Sequence, residues 1–296
     1  MAGLALCALL LSAAYGCGTT DGLLLRVADA GAAANGDLDV AKPGDLDVGQ
    51  APVGPAPATS QDAGTARIAS DMRLHYQITG TPAVDADADV FVLDLFDAQT
   101  SQLATLHARG RIVIGYLSAG SLEPWRPDAD DFPARAVGSE LSGYPNESWL
   151  DIRDASVRAL MRARLQLAHD KGFDGVFPGA LDAYRNQSGF ALSEADQLDY
   201  DRFLATEAHA LGLSPGLSGD FMLSSQLVAH FDWAIAIGCI AAASCERLQP
   251  FIEQAKPVFD VEVQGELSDV CAKAKTLGIS MSMKRPGFDA WSRTCP

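Results

Sequence analysis

Residues 154–182 read DASVRALMRARLQLAHDKGFDGVFPGALD. Val157 to His169 carries apolar residues, Leu160, Leu165 and Leu167 among them, between charged ones, which predicts an amphipathic helix. Gly172 follows as a C-terminal stop, because glycine takes the left-handed backbone that ends a helix at no steric cost. Phe173–Phe177 is then a short apolar run of the kind a strand buried on both faces requires. The same alternation continues in both directions. Further strand candidates are Arg73–Ile78, Val90–Leu95, Ile112–Leu117, Trp149–Ile152, Ser214–Leu217, Trp233–Ile237, Pro257–Val261 and Ile279–Met283. Helices fit between them. Thr100 opens one that runs through Ala108 and ends at Gly110. Ser193, with Asp196 three residues later, opens another whose Tyr200, Phe203, Leu204, Ala208 and Leu211 share a face, before Gly212. Repeated strand–helix units over this length predict an α/β fold, a closed (β/α)8 TIM barrel of one domain spanning residues 70–296. Nine strand candidates compete for eight places, so one belongs outside the barrel.

The start of the chain reads differently. Leu4 to Leu11 is apolar but too short to span a bilayer, and small residues precede Cys17, so residues 1–16 are expected to be an export signal. A small-residue stretch ending in cysteine resembles the bacterial lipobox, which makes Cys17 the expected lipidation site of an exported cell-envelope lipoprotein, or else the chain is secreted. Residues 17–69 are rich in Ala, Gly, Asp and Pro and read as a flexible, disordered linker. GDLDV occurs there twice, at 36–40 and 44–48. Asp clusters can bind calcium, but two short copies fit a solvated tether better. Apart from Cys7 and Cys17, four cysteines remain: Cys239, Cys245, Cys271 and Cys295. In an exported chain they predict two disulfides. Three pairings are possible, of which Cys239–Cys245 and Cys271–Cys295 are favoured. A zinc site lacks the CxxC spacing and a nearby histidine.

The net charge is −16, and residues 18–65, with seven Asp against Arg26 and Lys42, contribute −5, which leaves −11 for the rest. Such a body repels phosphates, so nucleic acid and anionic lipid are not expected partners, and a lipid anchor is the only membrane contact foreseen. It suits a cationic partner, although an acidic surface also serves solubility. The five histidines form no HxH or HExxH pair, and GxGxxG, GxxxxGK[ST] and GxSxG are all missing, so no metal or cofactor is expected.

In a barrel of this kind the C-terminal ends of the strands build the site. Those ends carry Asp94, Tyr116, Asp151, Asp182, Tyr184, Asp220 and Glu262, the expected substrate-binding residues. Carboxylates accept hydroxyl and amine protons, and aromatic faces pack on the apolar side of a sugar ring. Each Asp has a structural alternative; Asp151 and Asp174 fit backbone or loop partners equally well. Trp125 and Trp149 fit packing better than sugar contact.

YLSAGSLEPWRPD at 116–128, WLDIR at 149–153, ADQLDYDRFLATEAHALGLSPGL at 195–217 and the Cys239/Cys245 pair resemble glycoside hydrolase family 114, the endo-α-1,4-polygalactosaminidases. The resemblance spans roughly 70–295. It implies a barrel that acts on polymers of galactosamine, a cationic sugar. The departures are specific. Where that family typically reads Asp-Gly-Val-Glu-Pro-Asp-Asn, this chain has Phe177 for the Glu, Gly179 for the second Asp and Ala180 for the Asn. Lys-Asn-Asp becomes Ser218-Gly219-Asp220, and Asn-Glu-Gln-Cys becomes Ala236-Ile237-Gly238-Cys239. The family's nucleophile and acid/base carboxylates would fall at Gly179 and Ile237, whose side chains move no proton. The resemblance therefore implies a catalytically degenerate barrel that binds an amino-sugar polysaccharide without cleaving it. The alternatives are an active hydrolase with catalysis relocated to Asp182, Asp220 and Glu262, or a surface protein with a vestigial, greasier pocket.

Overall fold

The computed structural model describes residues 67–295. The expected signal, the lipidation site Cys17 and nearly all of the expected linker lie outside the described residues. The strands are β1 (Leu74–Gln77), β2 (Val90–Asp94), β3 (Ile112–Ser118), β4 (Ser121–Leu122), β5 (Val137–Glu140), β6 (Ser148–Leu150), β7 (Gly175–Gly179), β8 (Ser214–Leu217), β9 (Trp233–Ile237), β10 (Val258–Glu262), β11 (Ser280–Lys284) and β12 (Ser292–Thr294). The helices are α1 (Thr100–His107), α2 (Ala155–Lys171), α3 (Glu194–Ala210), α4 (Ser224–Leu227), α5 (Gln249–Glu253) and α6 (Leu267–Leu277).

Eight of these strands run parallel in the order β1-β2-β3-β7-β8-β9-β10-β11, and β12 adds antiparallel to β11. The seam between β11 and β1 is bridged by Ser280 Oγ donating to Met72 O (2.9 Å), Ile78 N to Phe288 O (3.2 Å) and Thr79 Oγ1 to Gly287 O (2.6 Å). The sheet is thus a nearly closed barrel. Trp149–Ile152 is the candidate left outside. Its residues 148–150 form β6, held antiparallel between β4 and β5, so the chain between β3 and α2 folds into a small sheet of its own.

Alternation along the strands explains the unbroken apolar runs. Tyr76, Val90, Val92, Ile114, Phe177, Trp233, Ile235, Phe259 and Val261 fill the barrel interior. Their neighbours Phe91, Leu93, Val113 and Val176 pack outward under α1 to α3, and Ala234, Ala236, Val258 and Met281 pack under the remaining helices. Both faces are buried, as parallel strands require. Gly216 is needed inside, because a Cβ there would lie 2.4 Å from the Trp233 ring.

The helix ends follow the sequence signals with one change. Ser193 and Asp196 form the reciprocal capping box of α3, and Gly172 ends α2 at φ 87°. At α1 the cap falls one residue earlier than Thr100: Gln99 N donates to Gln102 Oε1 at 2.8 Å. Cys239 bonds Cys245 (Cα–Cα 4.9 Å) and Cys271 bonds Cys295 (5.5 Å), the latter tying α6 to the segment after β12. Among the described residues no helix is long and apolar enough to cross a membrane.

Candidate functional site

A cavity of about 420 Å³ opens at the C-terminal ends of the parallel strands. Tyr116 and Ser118 reach it from β3, Phe177 and Gly179 from β7, and Ile235 and Ile237 from β9. Ser218, Gly219 and Phe221 follow β8, and Asp182 and Asn186 follow β7. The inserted sheet and its 141–147 loop add Leu141, Ser142, Tyr144, Glu147 and Trp149, and Tyr76, Ile78, Ala180 and Phe288 complete the wall.

The seven expected binding residues separate into distinct environments. Tyr116 and Asp182 line the cavity. Asp94 is buried beside it, its carboxylate held bidentately by Arg126 (2.9 and 2.6 Å) and its Oδ1 also accepting from Phe96 N and Asp97 N. Arg126 is shared with Glu123 (2.7 and 2.8 Å), so these three groups form a closed, buried charge network. Asp151 follows β6 rather than a barrel strand and is taken by Arg153 at 2.9 Å through both oxygens. Asp174 accepts from Val113 N (2.7 Å) and pairs with His107, the backbone role foreseen for it.

Asp220 is fully buried behind Gly219; Tyr184 donates to its Oδ1 at 3.4 Å and its Oδ2 has no partner among the described residues. Burial, and then the charge of Asp182, push Asp220 up to about 6. Glu262 is also fully buried. Phe259 and Val261 point into the barrel, so the alternating Asp260 and Glu262 point out, under the loop that follows β9. There Glu262 accepts from Ala241 N (2.9 Å), and Asp260 from Cys239 N (3.1 Å) and Ile240 N (3.3 Å). Burial, with Glu262 next to it, pushes Asp260 up to about 7. Cys239, Cys245 and Asp260 lie within metal-ligand distance of one another, but the two sulfurs are spent in a disulfide and offer no thiolate.

Sequence reading missed Glu147 and Tyr144. Glu147 accepts from Ser121 Oγ (2.8 Å), which in turn meets Ser118 Oγ (2.6 Å), and burial holds its carboxyl above the usual range. Tyr144 is 58% exposed at the cavity rim. The available signal was Gly143-Tyr144-Pro145, an aromatic residue set in a turn between two short strands. Trp149 is packed, as foreseen, but Trp125 is 56% exposed, contrary to its packing assignment.

Of the positions where the chain departs from the family pattern, Phe177, Gly179, Ala180, Ser218, Gly219 and Ile237 line this cavity, whereas Ala236 and Gly238 do not. Gly179 and Ile237 both line it, and Ile237 is 45% exposed. Ala180, Gly219 and Gly238 have φ of 59°, 75° and 79°. That left-handed region suits Asn and Gly and strains Ala, so the backbone at 180 keeps the shape an Asn would favour. Chemically, the cavity offers two carboxylates, Glu147 and Asp182, several aromatic faces and a central wall without charge.

The chain is 32% identical to Aspergillus fumigatus Ega3, solved in complex with galactosamine, over 80% of this chain and 100% of that one, with a TM-score of 0.72. The glycoside hydrolase domain of PelA from Pseudomonas aeruginosa shares the fold at 17% identity and a TM-score of 0.62, over 75% of this chain and 98% of that one. No curated protein sequence matches. The sequence profile of glycoside-hydrolase family GH114 matches residues 55–296, and the chain belongs to that family.

Proposed function

We propose that this protein is a non-cleaving member of the family: an exported barrel that binds an amino-sugar polysaccharide, galactosamine-containing and cationic, without hydrolysing it. One observation carries the reading. Gly179 and Ile237, where the family resemblance puts the nucleophile and the acid/base, face the same cavity, and neither side chain can attack or transfer a proton. Retaining hydrolysis needs two carboxyl groups about 5–5.5 Å apart at the scissile bond. General acid–base help alone is worth about 10²–10⁴-fold, and with the nucleophile gone as well hydrolysis should be negligible. Two disulfides are consistent with an oxidising compartment outside the cytoplasm, and Cys17 is the proposed lipid anchor.

A relocated active site is the second reading. Of Asp182, Asp220 and Glu262, only Asp182 lines the cavity, and its companion there is Glu147, raised by burial as a proton donor must be. The test is incubation of the pure protein with α-1,4-galactosamine polymer, measuring new reducing ends, beside a calorimetric titration. Saturable binding with no product above a heat-killed control is expected. Turnover lost on Asp182→Asn or Glu147→Gln would establish the second reading instead. For the anchor, Cys17→Ser should release the protein from the membrane fraction; retention there would rule the anchor out.

A further inference from the structure

The chemistry removed from the cavity has been replaced by something definite. Against the family pattern, Phe177, Gly179, Ser218 and Ile237 stand for a Glu, an Asp, a Lys and a second Glu. All four line the cavity. Three carboxylates and one ammonium have thus given way to uncharged groups on one continuous surface. The replacements are not equivalent to one another. Gly179 leaves room, part of which the Tyr116 ring takes: a Cβ at 179 would lie 2.9 Å from Tyr116 Cε2 and 3.3 Å from its hydroxyl. Phe177 is buried and packs on Tyr76, Tyr116 and Trp233, with centroids 5.5–6.5 Å apart. Ile237 is different, since it is nearly half exposed at a strand end whose other residues are buried. Among the described residues nothing covers this large aliphatic side chain in the cavity mouth, and it loses its contact with water only when a ligand packs on it.

An ammonium group entering this space would lose water to an apolar wall. The carboxyls that remain are at the side, and burial favours the neutral form of one of them, Glu147. A methyl group bound to a neutral amide has the opposite preference. Its apolar end is covered by Ile237, and its amide can bond the Tyr116 hydroxyl, which lines the same cavity.

We propose that the innermost sugar held in this cavity is an N-acetylated hexosamine, its acetyl methyl packed on Ile237, rather than a free amino sugar. The proposal rests on the glycan-binding reading above and narrows it. A partly acetylated polymer satisfies both: its free amines are drawn to the acidic surface, and an acetylated unit seats in the neutral pocket.

The test uses the mature protein and two probes of matched length, α-1,4-linked N-acetylgalactosamine oligosaccharides and the same oligosaccharides fully deacetylated, titrated by calorimetry at near-physiological salt. The acetylated probe should bind roughly tenfold or more tightly than the deacetylated one, the discrimination a well-placed methyl in an apolar pocket provides. Ile237→Ala should erase most of that preference, and Ile237→Glu should reverse it. The side chain is exposed, so both variants are expected to fold, which an unchanged circular dichroism melt would verify. Equal binding, or preference for the deacetylated probe by the unmodified protein, overturns the acetyl assignment and leaves the glycan-binding reading intact. An unchanged preference in both variants overturns the role of Ile237. Failure of both probes to bind overturns the glycan-binding reading and the assignment with it.

Discussion

At residue 179 a carboxylate and the neighbouring Tyr116 ring would compete for one space. Gly179 lies outside the left-handed region, so its backbone tolerates a side chain, but the first added carbon falls 2.9 Å from the Tyr116 ring. Gly179→Asp alone should therefore destabilise the protein by about 1–3 kcal/mol, the usual cost of overpacking. Tyr116→Leu added to it should recover most of the loss in a thermal melt. A Gly179→Asp protein that melts no lower than its parent would mean the ring swings aside freely. The opposite situation holds at Asp94, whose carboxylate is already consumed. Asp94→Ala strands part of the buried Arg126 charge and should cost about 3 kcal/mol, the low end for breaking a buried ion pair, because Glu123 still holds the guanidinium. Destabilisation below about 1 kcal/mol in a denaturant titration would refute that ranking. Asp94 and Asp182 look alike in sequence, each an Asp at or just past a strand end. What separates them is Arg126, which lies 32 residues beyond Asp94 and faces it only after β3 and its following loop have folded. Nothing local in the sequence carries that fact.

At the scale of elements, the loop after β9 is fixed from both sides. The Cys239–Cys245 disulfide closes it, and Asp260 and Glu262 on β10 accept three of its backbone amides from below. Asp260 is raised to about 7 and Asp220, past β8, to about 6. Both groups therefore hold protons in the fold at pH values where the unfolded chain, with carboxyls near 3.9, has released them. Between about pH 4 and pH 7 the native state binds more protons, so this contribution is fully present below about pH 4 and lost as pH rises through 6–7. Surface carboxylates whose pKa is lowered, such as Asp151 and Asp154, pull the other way, but exposed pairs weigh little. The expected result is a higher melting temperature near pH 5 than near pH 8, flattened by Asp220→Asn and Asp260→Asn. A profile that rises monotonically to about pH 8 would contradict it. The parallel strands that carry these groups were legible, because burial on both faces leaves continuous apolar runs such as Val90–Asp94 and Trp233–Ile237. The inserted sheet was not. Trp149–Ile152 has the apolar content of a barrel strand, and only pairing partners distinguish an antiparallel three-residue strand from a parallel one. Because the loop within that sheet supplies Tyr144 and Glu147, the error over one strand also hid about a quarter of the cavity wall, five of its twenty lining residues.

Over the whole molecule, charge and pocket chemistry act at different ranges. The chain carries −16, and −11 of it lies outside residues 18–65, whereas the cavity centre is neutral. On the proposed function, a cationic glycan would be gathered by the acidic body at long range and held by short-range contacts once seated. Exposed charges are screened over about 8 Å at physiological ionic strength and about 3 Å at 1 M salt, while apolar packing and buried hydrogen bonds are not. Binding of a long, fully deacetylated polymer should therefore weaken progressively as salt is raised from about 0.05 M to about 0.5 M, chiefly through a slower association rate. Binding of a short acetylated oligosaccharide should change little over the same range, because it carries no charge for the body to attract. Surface plasmon resonance with both ligands separates the two contributions within one experiment. Salt-independent association of the deacetylated polymer would show that the acidic surface serves solubility alone, and that capture depends entirely on the cavity between Gly179 and Ile237.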